Sequence, residues 1–192
     1  GYMKASPDGK KMAVVNQNTC DNIRELFDFN STTGIVSNWI DLELQIDSFG
    51  SYGVSFSHDN SKLYLSDNFY GKIYQYDLSA AGGQADSIRN SKVTISNLFT
   101  PFTGEVSYAL QLGPDGKIYV ARQPKNFLAV INNPNVKGIG CNFQDNAVSL
   151  NSKICSLGLP NLIDSYSYSN TIVNCQVGVV ELSNKKIEVL NQ

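Results

Sequence analysis

The chain has 192 residues, 42% of them hydrophobic, and a formal net charge of −2. That length can bury one sizeable core, while the near-neutral balance, with no basic stripe, gives general nucleic-acid binding no electrostatic support. Its longest apolar runs, such as Leu128 to Ile131, are too short to span a bilayer, and a charged content of 17%, against the roughly 25% of an average domain, leaves Asn, Ser, Gly and Tyr to carry polar turns between many short strands.

Taken in chain order, Met3, Ala5 and then Met12 to Val15 predict a hairpin around Ser6-Pro7-Asp8-Gly9. Ile23 to Phe29 alternates in part, Asn30 to Gly34 is a turn cluster, and Ile35 to Leu44 returns as a fourth strand with Trp39 and Ile40. The pattern restarts at Tyr52. Val54 to Ser57 and Leu63 to Leu65 flank His58-Asp59-Asn60, and Lys72 to Leu78 alternates cleanly. Ser79 to Asp86 reads as a Gly- and Ala-rich loop, with Val93 to Ile95 as the fourth strand. A third round opens at Ser107, with Ala109 to Leu112, Gly113-Pro114-Asp115-Gly116, Ile118 to Val120, Phe127 to Asn132 and Phe143 to Leu150. A further strand set is expected from Leu157 to Tyr168.

The turn aspartates Asp8, Asp59 and Asp115 are 51 and 56 residues apart. A repeat of roughly 40 to 55 residues holding four strands predicts an all-β chain of four-stranded antiparallel blades, a β-propeller of three to four blades forming a partial or incomplete ring. Pro presets φ for the first turn position, Asp hydrogen-bonds the backbone ahead, and Gly supplies a positive φ. Asn60 stands in for Gly in the second copy and tolerates the same region. Blades are expected at about 2–44, 52–98 and 107–155 within a unit of residues 1–168, followed by a linker or the start of another domain over 169–192. With three repeats against the usual four to eight blades, the chain reads as a piece of something longer, or as part of a ring completed by other segments.

The phrases Ala5 to Lys10, Tyr52 to Ser57, Ile73 to Leu78, Ala109 to Ala121, Val130 to Asn135, Cys141 to Phe143 and Gly158 to Ile163 resemble the WD40-like or TolB-like propeller repeats of large secreted Bacteroidota proteins, over about residues 1–166. The tail Val177 to Gln192 is similar to the opening of a type IX secretion sorting domain, with Leu190-Asn191-Gln192 where that domain usually carries Tyr-Pro-Asn-Pro. The resemblance implies a secreted or cell-surface protein linked to adhesion, and it supplies no catalytic residue.

Catalytic constellations are thin. His58 is the lone histidine and sits in a turn, so neither a triad nor a histidine zinc site can be assembled. Carboxylates that could pair for glycoside hydrolysis are Asp41, Glu43, Asp47, Asp67, Asp77 and Glu105, most of them at strand ends or turns. Asp67 to Lys72 has the oxygens of a calcium loop but the shape of a hairpin turn. No cofactor or metal is expected. Four cysteines leave two readings open: a local bridge between Cys141 and Cys155, or buried free thiols throughout.

The expected function is therefore that of a non-enzymatic extracellular scaffold or binding module recognising a polysaccharide or protein partner through blade loops. Rival readings are a propeller-type hydrolase or lyase with a channel active site, and a subunit completing a ring in a multi-subunit surface assembly. The candidate binding residues are Arg122, Lys125 and Phe127, in a polar loop after the second strand of the third repeat, and the loop aromatics Phe69 and Tyr70. The inner-strand positions near Lys4, Ser55 and Gln111 share no acid or histidine, which argues against a metal-lined channel.

Overall fold

Each Asp-centred phrase closes a hairpin in the computed structural model, which describes residues 2–16, 23–43, 50–67, 69–98, 106–160, 162–164, 179–182 and 185–188. Gly9, Asn60 and Gly116 take φ of 68°, 64° and 76°, the left-handed values that Gly and Asn reach most cheaply. Their amides donate back to Ser6, Ser57 and Gly113 at 2.8, 3.0 and 3.0 Å. Asp8, Asp59 and Asp115 each accept from the backbone two residues on, at 3.1, 3.0 and 3.3 Å. The three corners are thus chemically equivalent.

Three four-stranded antiparallel sheets grow from these hairpins. The first holds β1 (Tyr2–Ala5), β2 (Lys11–Val15), β3 (Arg24–Asn30) and β4 (Ile35–Asp41). The second holds β5 (Ser51–Phe56), β6 (Lys62–Asp67), β7 (Lys72–Asp77) and β8 (Val93–Asn97). The third holds β9 (Val106–Leu112), β10 (Ile118–Gln123), β11 (Phe127–Ile131) and β12 (Phe143–Ser149). Strand order follows the chain in every sheet. The tail contributes a separate hairpin of β13 (Val179–Leu182) and β14 (Lys185–Glu188).

Successive side chains of a strand point to opposite faces, and the middle sheet uses both. Val54, Phe56, Leu63, Leu65 and Tyr76 meet Ala13, Val15 and Leu26 of the first sheet. Tyr64 and Ile73 meet Leu110, Ile118, Val120 and Ile131 of the third. Every residue of β6 is consequently buried. The far face of the third sheet, at Ala109 and Ala121, is covered by Leu150, Cys155 and Leu159. The opening strands β1, β5 and β9 lie next to one another.

Three four-stranded sheets are present among the described residues and they do not close a ring, which agrees with the lower end of the expected three to four. Several expectations need correction. Within the expected strand set of 157–168, the described residues form no strand, for Gly158 and Pro160 supply respectively no side chain to pack and no N–H to pair. The presumed Ser79–Asp86 loop instead contains a 3-10 turn over Ala80–Gly82 and runs into a helix, α1 (Ala85–Asn90). Ile88 anchors that helix in the core, and Asp86 and Arg89 sit at the ends where the helix dipole favours their charges. Cys141 and Cys155 form no bridge: both are buried free thiols in clusters on opposite faces of the third sheet, and burial pushes both thiols up. Cys20 and Cys175 lie outside the described residues.

One carboxylate couples this framework to acid. Asp77, its side chain 13% exposed, accepts from Ser79 Oγ at 2.6 Å and Lys62 Nζ at 3.3 Å. Burial pushes its carboxyl up, but these hydrogen bonds outweigh burial and hold it down to about 2 from the ordinary 3.8. A value lowered in the fold stabilises above the unfolded value and stops doing so as pH falls through the folded one. Asp77 is therefore expected to contribute roughly 2 kcal/mol at neutral pH that fades between about pH 4 and pH 2. Urea unfolding across that window checks it: Asp77→Asn should flatten this part of the pH profile, and an unchanged profile would refute the assignment.

Candidate functional site

The residue four places before each turn aspartate is Lys4, Ser55 or Gln111, on β1, β5 and β9. Ser55 is fully buried and turned onto the Phe56 carbonyl at 3.4 Å. Lys4 and Gln111, 107 residues apart, meet directly: Lys4 Nζ donates to Gln111 Oε1 at 2.7 Å. Gln111 Nε2 donates to Leu112 O at 2.9 Å and to Asp164 Oδ1 at 2.7 Å. Asp164 Oδ2 lies 3.6 Å from Lys4 Nζ, and both side chains are at most 10% exposed. That oxygen is buried, and among the described residues its partner is the Lys4 ammonium. Burial pushes the Lys4 ammonium down and the Asp164 carboxyl up, and the attraction between them works against both shifts. A buried ion pair of this kind is poor economy for stability alone and common where a site is built.

A cavity of about 320 Å³ adjoins the cluster, lined by Tyr2 to Ser6 along β1 and by 162–164. From its Tyr2 wall a row of half-buried rings follows the opening strands. Tyr2 and Tyr52 pack edge-on with centroids 5.4 Å apart, and Tyr52 and Tyr108 at 5.1 Å. In a four-strand meander the first strand starts at the same end as the turn between strands two and three. The tyrosine row, the Phe69–Tyr70 turn and the Lys125 turn therefore share one end of the sheets. At the other end, a cavity of about 340 Å³ is lined by Asp8, Asp28 and their partners Ser6 and Lys11.

The candidate binding residues divide. Phe69 is 47% exposed and packs edge-on to Tyr70 at 5.0 Å. Lys72 Nζ lies 5.2 Å from the Tyr70 ring centre. Asp67 Oδ1 takes the amides of Phe69 and Tyr70, both at 3.0 Å, which is hairpin-turn and not calcium-loop chemistry. Lys125 and Phe127 bracket the β10–β11 turn, with Lys125 Nζ 6.0 Å from the Phe127 ring centre. Arg122 must be withdrawn from the recognition surface. It lies inside β10 at 1% exposure and grips Asp145 through Nε at 2.9 Å and a terminal nitrogen at 3.4 Å. An arginine flanked by Ala121 and Gln123 reads as loop chemistry only while the partner across the sheet is unknown.

The acids proposed for hydrolysis are engaged elsewhere. Asp67 and Glu43 share Arg24, Asp77 meets Lys62 and Lys137, and Asp47 and Glu105 lie outside the described residues. His58 is an exposed turn residue, as expected. Among the described residues no group of three His, Cys, Asp or Glu side chains could hold a metal ion, and no helix is long and apolar enough to cross a membrane. In the sequence Lys4 and Gln111 stood out only as equivalent inner-strand positions that argued against a metal-lined channel, and neither they nor Asp164, which belongs to no repeat, were candidate binding residues. The loop aromatics Phe99, Phe102, Tyr166 and Tyr168 are outside the described residues.

No protein-family model matches this chain, and no curated protein matches it. Among solved structures it is similar to a luciferin-regenerating enzyme, at 15% sequence identity and a TM-score of 0.49, over 78% of this chain and 46% of that one. The chain thus spans less than half the length of that structure. The likeness corrects the expectation that the chain is no enzyme, because the structure it resembles is an enzyme's. It assigns no reaction and no residue role here.

Proposed function

We propose that the three sheets are successive β-propeller blades and that the chain is a recognition module of a secreted or cell-surface protein, binding a polysaccharide along the opening strands, where Tyr2 of the tyrosine row stands two residues from Lys4 of the Lys4–Gln111–Asp164 cluster. The carrying observation is a cavity lined by Tyr2, Lys4 and Asp164, with Tyr52 packed edge-on to Tyr2 and Gln111 hydrogen-bonded to both Lys4 and Asp164 behind that wall. Rings offer a flat apolar face to the C–H side of a sugar. Lys4, Gln111 and the ion-paired Asp164 carboxylate offer donors and an acceptor to its hydroxyls. The equivalence of the three turn corners supports the blade reading. The repeat phrases, which resemble those of large Bacteroidota surface proteins with type IX sorting domains, support the location.

A glycan array, followed by calorimetry on the glycans it selects, tests this. Lys4→Met with Asp164→Leu should weaken binding about tenfold or more while leaving stability unchanged or raised, since an apolar pair of similar volume replaces a buried ion pair at little cost. Tyr52→Ala should weaken the same glycans. A blank array, or binding that all these substitutions leave untouched, would defeat the proposal, and release of sugar products would turn it into a catalytic one.

A further inference from the structure

An amine and a carboxyl group meet inside this fold with little exposure to water. Lys4 Nζ stands 3.6 Å from Asp164 Oδ2, and their side chains are 10% and 7% exposed. Gln111 touches both. Its Oε1 accepts from Lys4 Nζ at 2.7 Å, and its Nε2 donates to Asp164 Oδ1 at 2.7 Å. A lysine can only donate and a carboxylate oxygen accepts, so the two neighbours fix which way the Gln111 amide points. The three residues come from three places: β1 of the first sheet, β9 of the third, and the segment beyond the cap of the third sheet.

The geometry points to an amide bond between Lys4 Nζ and the Asp164 side-chain carboxyl carbon, formed by the folded chain on itself. The ion pair first passes one proton from Nζ to Oδ2, leaving a neutral amine beside a neutral carboxylic acid. The nitrogen lone pair then attacks the carboxyl carbon. A second proton moves from nitrogen to Oδ2, the bond from carbon to Oδ2 breaks, and one water leaves. Nothing is oxidised or reduced, and no co-reactant is needed. Gln111 serves both partners. Its Oε1 holds the amine in place, and its Nε2 N–H lies against Oδ1, where negative charge develops during attack. The fold supplies the proximity that two separate molecules would lack. Burial favours the neutral form of each group, pushing the Lys4 ammonium down and the Asp164 carboxyl up, and a desolvated lysine is the nucleophilic one. Lys62 and Asp77, with side chains 8% and 13% exposed and Nζ 3.3 Å from Oδ1, stay an ion pair. There burial also pushes the carboxyl up, but hydrogen bonds from Ser79 and Lys62 outweigh it and keep Asp77 an anion, a poor target for attack. The new amide retains one N–H donor and one carbonyl acceptor, so glycan binding at the cavity stands or falls separately. The ion-paired chain, whose stability Lys4→Met with Asp164→Leu probes, is the precursor of the linked one.

Intact-mass spectrometry of the purified chain, kept folded at neutral pH over time, tests this. The mass should fall below that of the sequence by one water, and a tryptic digest should yield a branched peptide joining Lys4 to Asp164. Lys4→Arg, which keeps the charge and the donors, and Asp164→Ala should each abolish both signals. Gln111→Leu should slow the water loss about a hundredfold, and Lys62→Arg should leave it unchanged. The branched peptide is read in the unaltered chain, so a variant that fails to fold does not blunt the test. A chain that keeps its full mass throughout would overturn the inference. So would a water loss that survives in Lys4→Arg, which would place it elsewhere, as at the Asp8-Gly9 or Asp115-Gly116 turns. Neither result bears on the glycan array, which reads binding and not mass.

Discussion

Replacing Arg24 by alanine is expected to cost about 3–5 kcal/mol of folding stability, the usual penalty for removing one member of a buried charge cluster. Arg24 opens β3 with no exposed surface. Its guanidinium pairs with Glu43 and lies 3.5 Å from Asp67 Oδ2, which is likewise fully buried, at the end of β6 in the next sheet. Tyr74 completes the cluster: the Arg24 guanidinium carbon is 5.5 Å from its ring centre, Lys92 Nζ is 4.2 Å from it, and its hydroxyl donates to Asp67 at 3.4 Å. Without Arg24, Asp67 becomes a carboxylate buried beside no strong counter-charge. The loss exceeds what the intact cluster contributes, because the penalty is that of the stranded charge. Denaturant midpoints for Arg24→Ala and for the double variant Arg24→Met with Asp67→Leu separate the two quantities. The single change should be severe, and the double change should recover much of the loss. A cost below about 1 kcal/mol for the single change would mean that the pair behaves as a solvated surface bridge.

Gly53→Ala is expected to be nearly as damaging, about 3 kcal/mol or more, for a purely steric reason. A Cβ at this position would lie 2.2 Å from Tyr108 O and 2.8 Å from Leu110 N, both backbone atoms of β9. No side-chain rotation relieves such a contact, so the second and third sheets would have to part. The joint is also hydrogen-bonded through Ser66, which is fully buried. Gly53 N donates to Ser66 Oγ at 2.8 Å, and Ser66 Oγ donates to Tyr108 O at 2.6 Å. Ser66→Ala should therefore cost about 1–3 kcal/mol by leaving two buried backbone groups unpaired. Urea unfolding would show lowered midpoints with an unchanged slope. Tolerance of alanine at 53 would mean that β5 and β9 do not approach as closely as the structure has them.

Both predictions concern contacts between sheets, and this is where sequence reading lost its reach. The hairpin corners were legible because Pro, Asp, Gly and Asn act through local torsions and hydrogen bonds two residues away. Strand alternation in β6 and β7 was legible because side-chain period is a local property. The cap by Cys155 and Leu159, the withdrawal of Arg122 into the third sheet and the arrival of Asp164 at Lys4 had no such local sign. Helix α1 was hidden by Gly82 and Gly83, although Ile88 anchors it from a position well beyond them.

The sequence by itself determined three equivalent corners, four strands in each round and a chain rich in half-buried rings, since turn torsions and the two-residue period of a strand are settled among near neighbours. The tertiary structure alone decided that Lys4, Gln111 and Asp164 share one hydrogen-bonded cluster and that Cys141 and Cys155 lie on opposite faces of a sheet. Those outcomes depend on which faces of distant strands meet, and burial, unlike a turn, carries no record of its partner in the residues beside it.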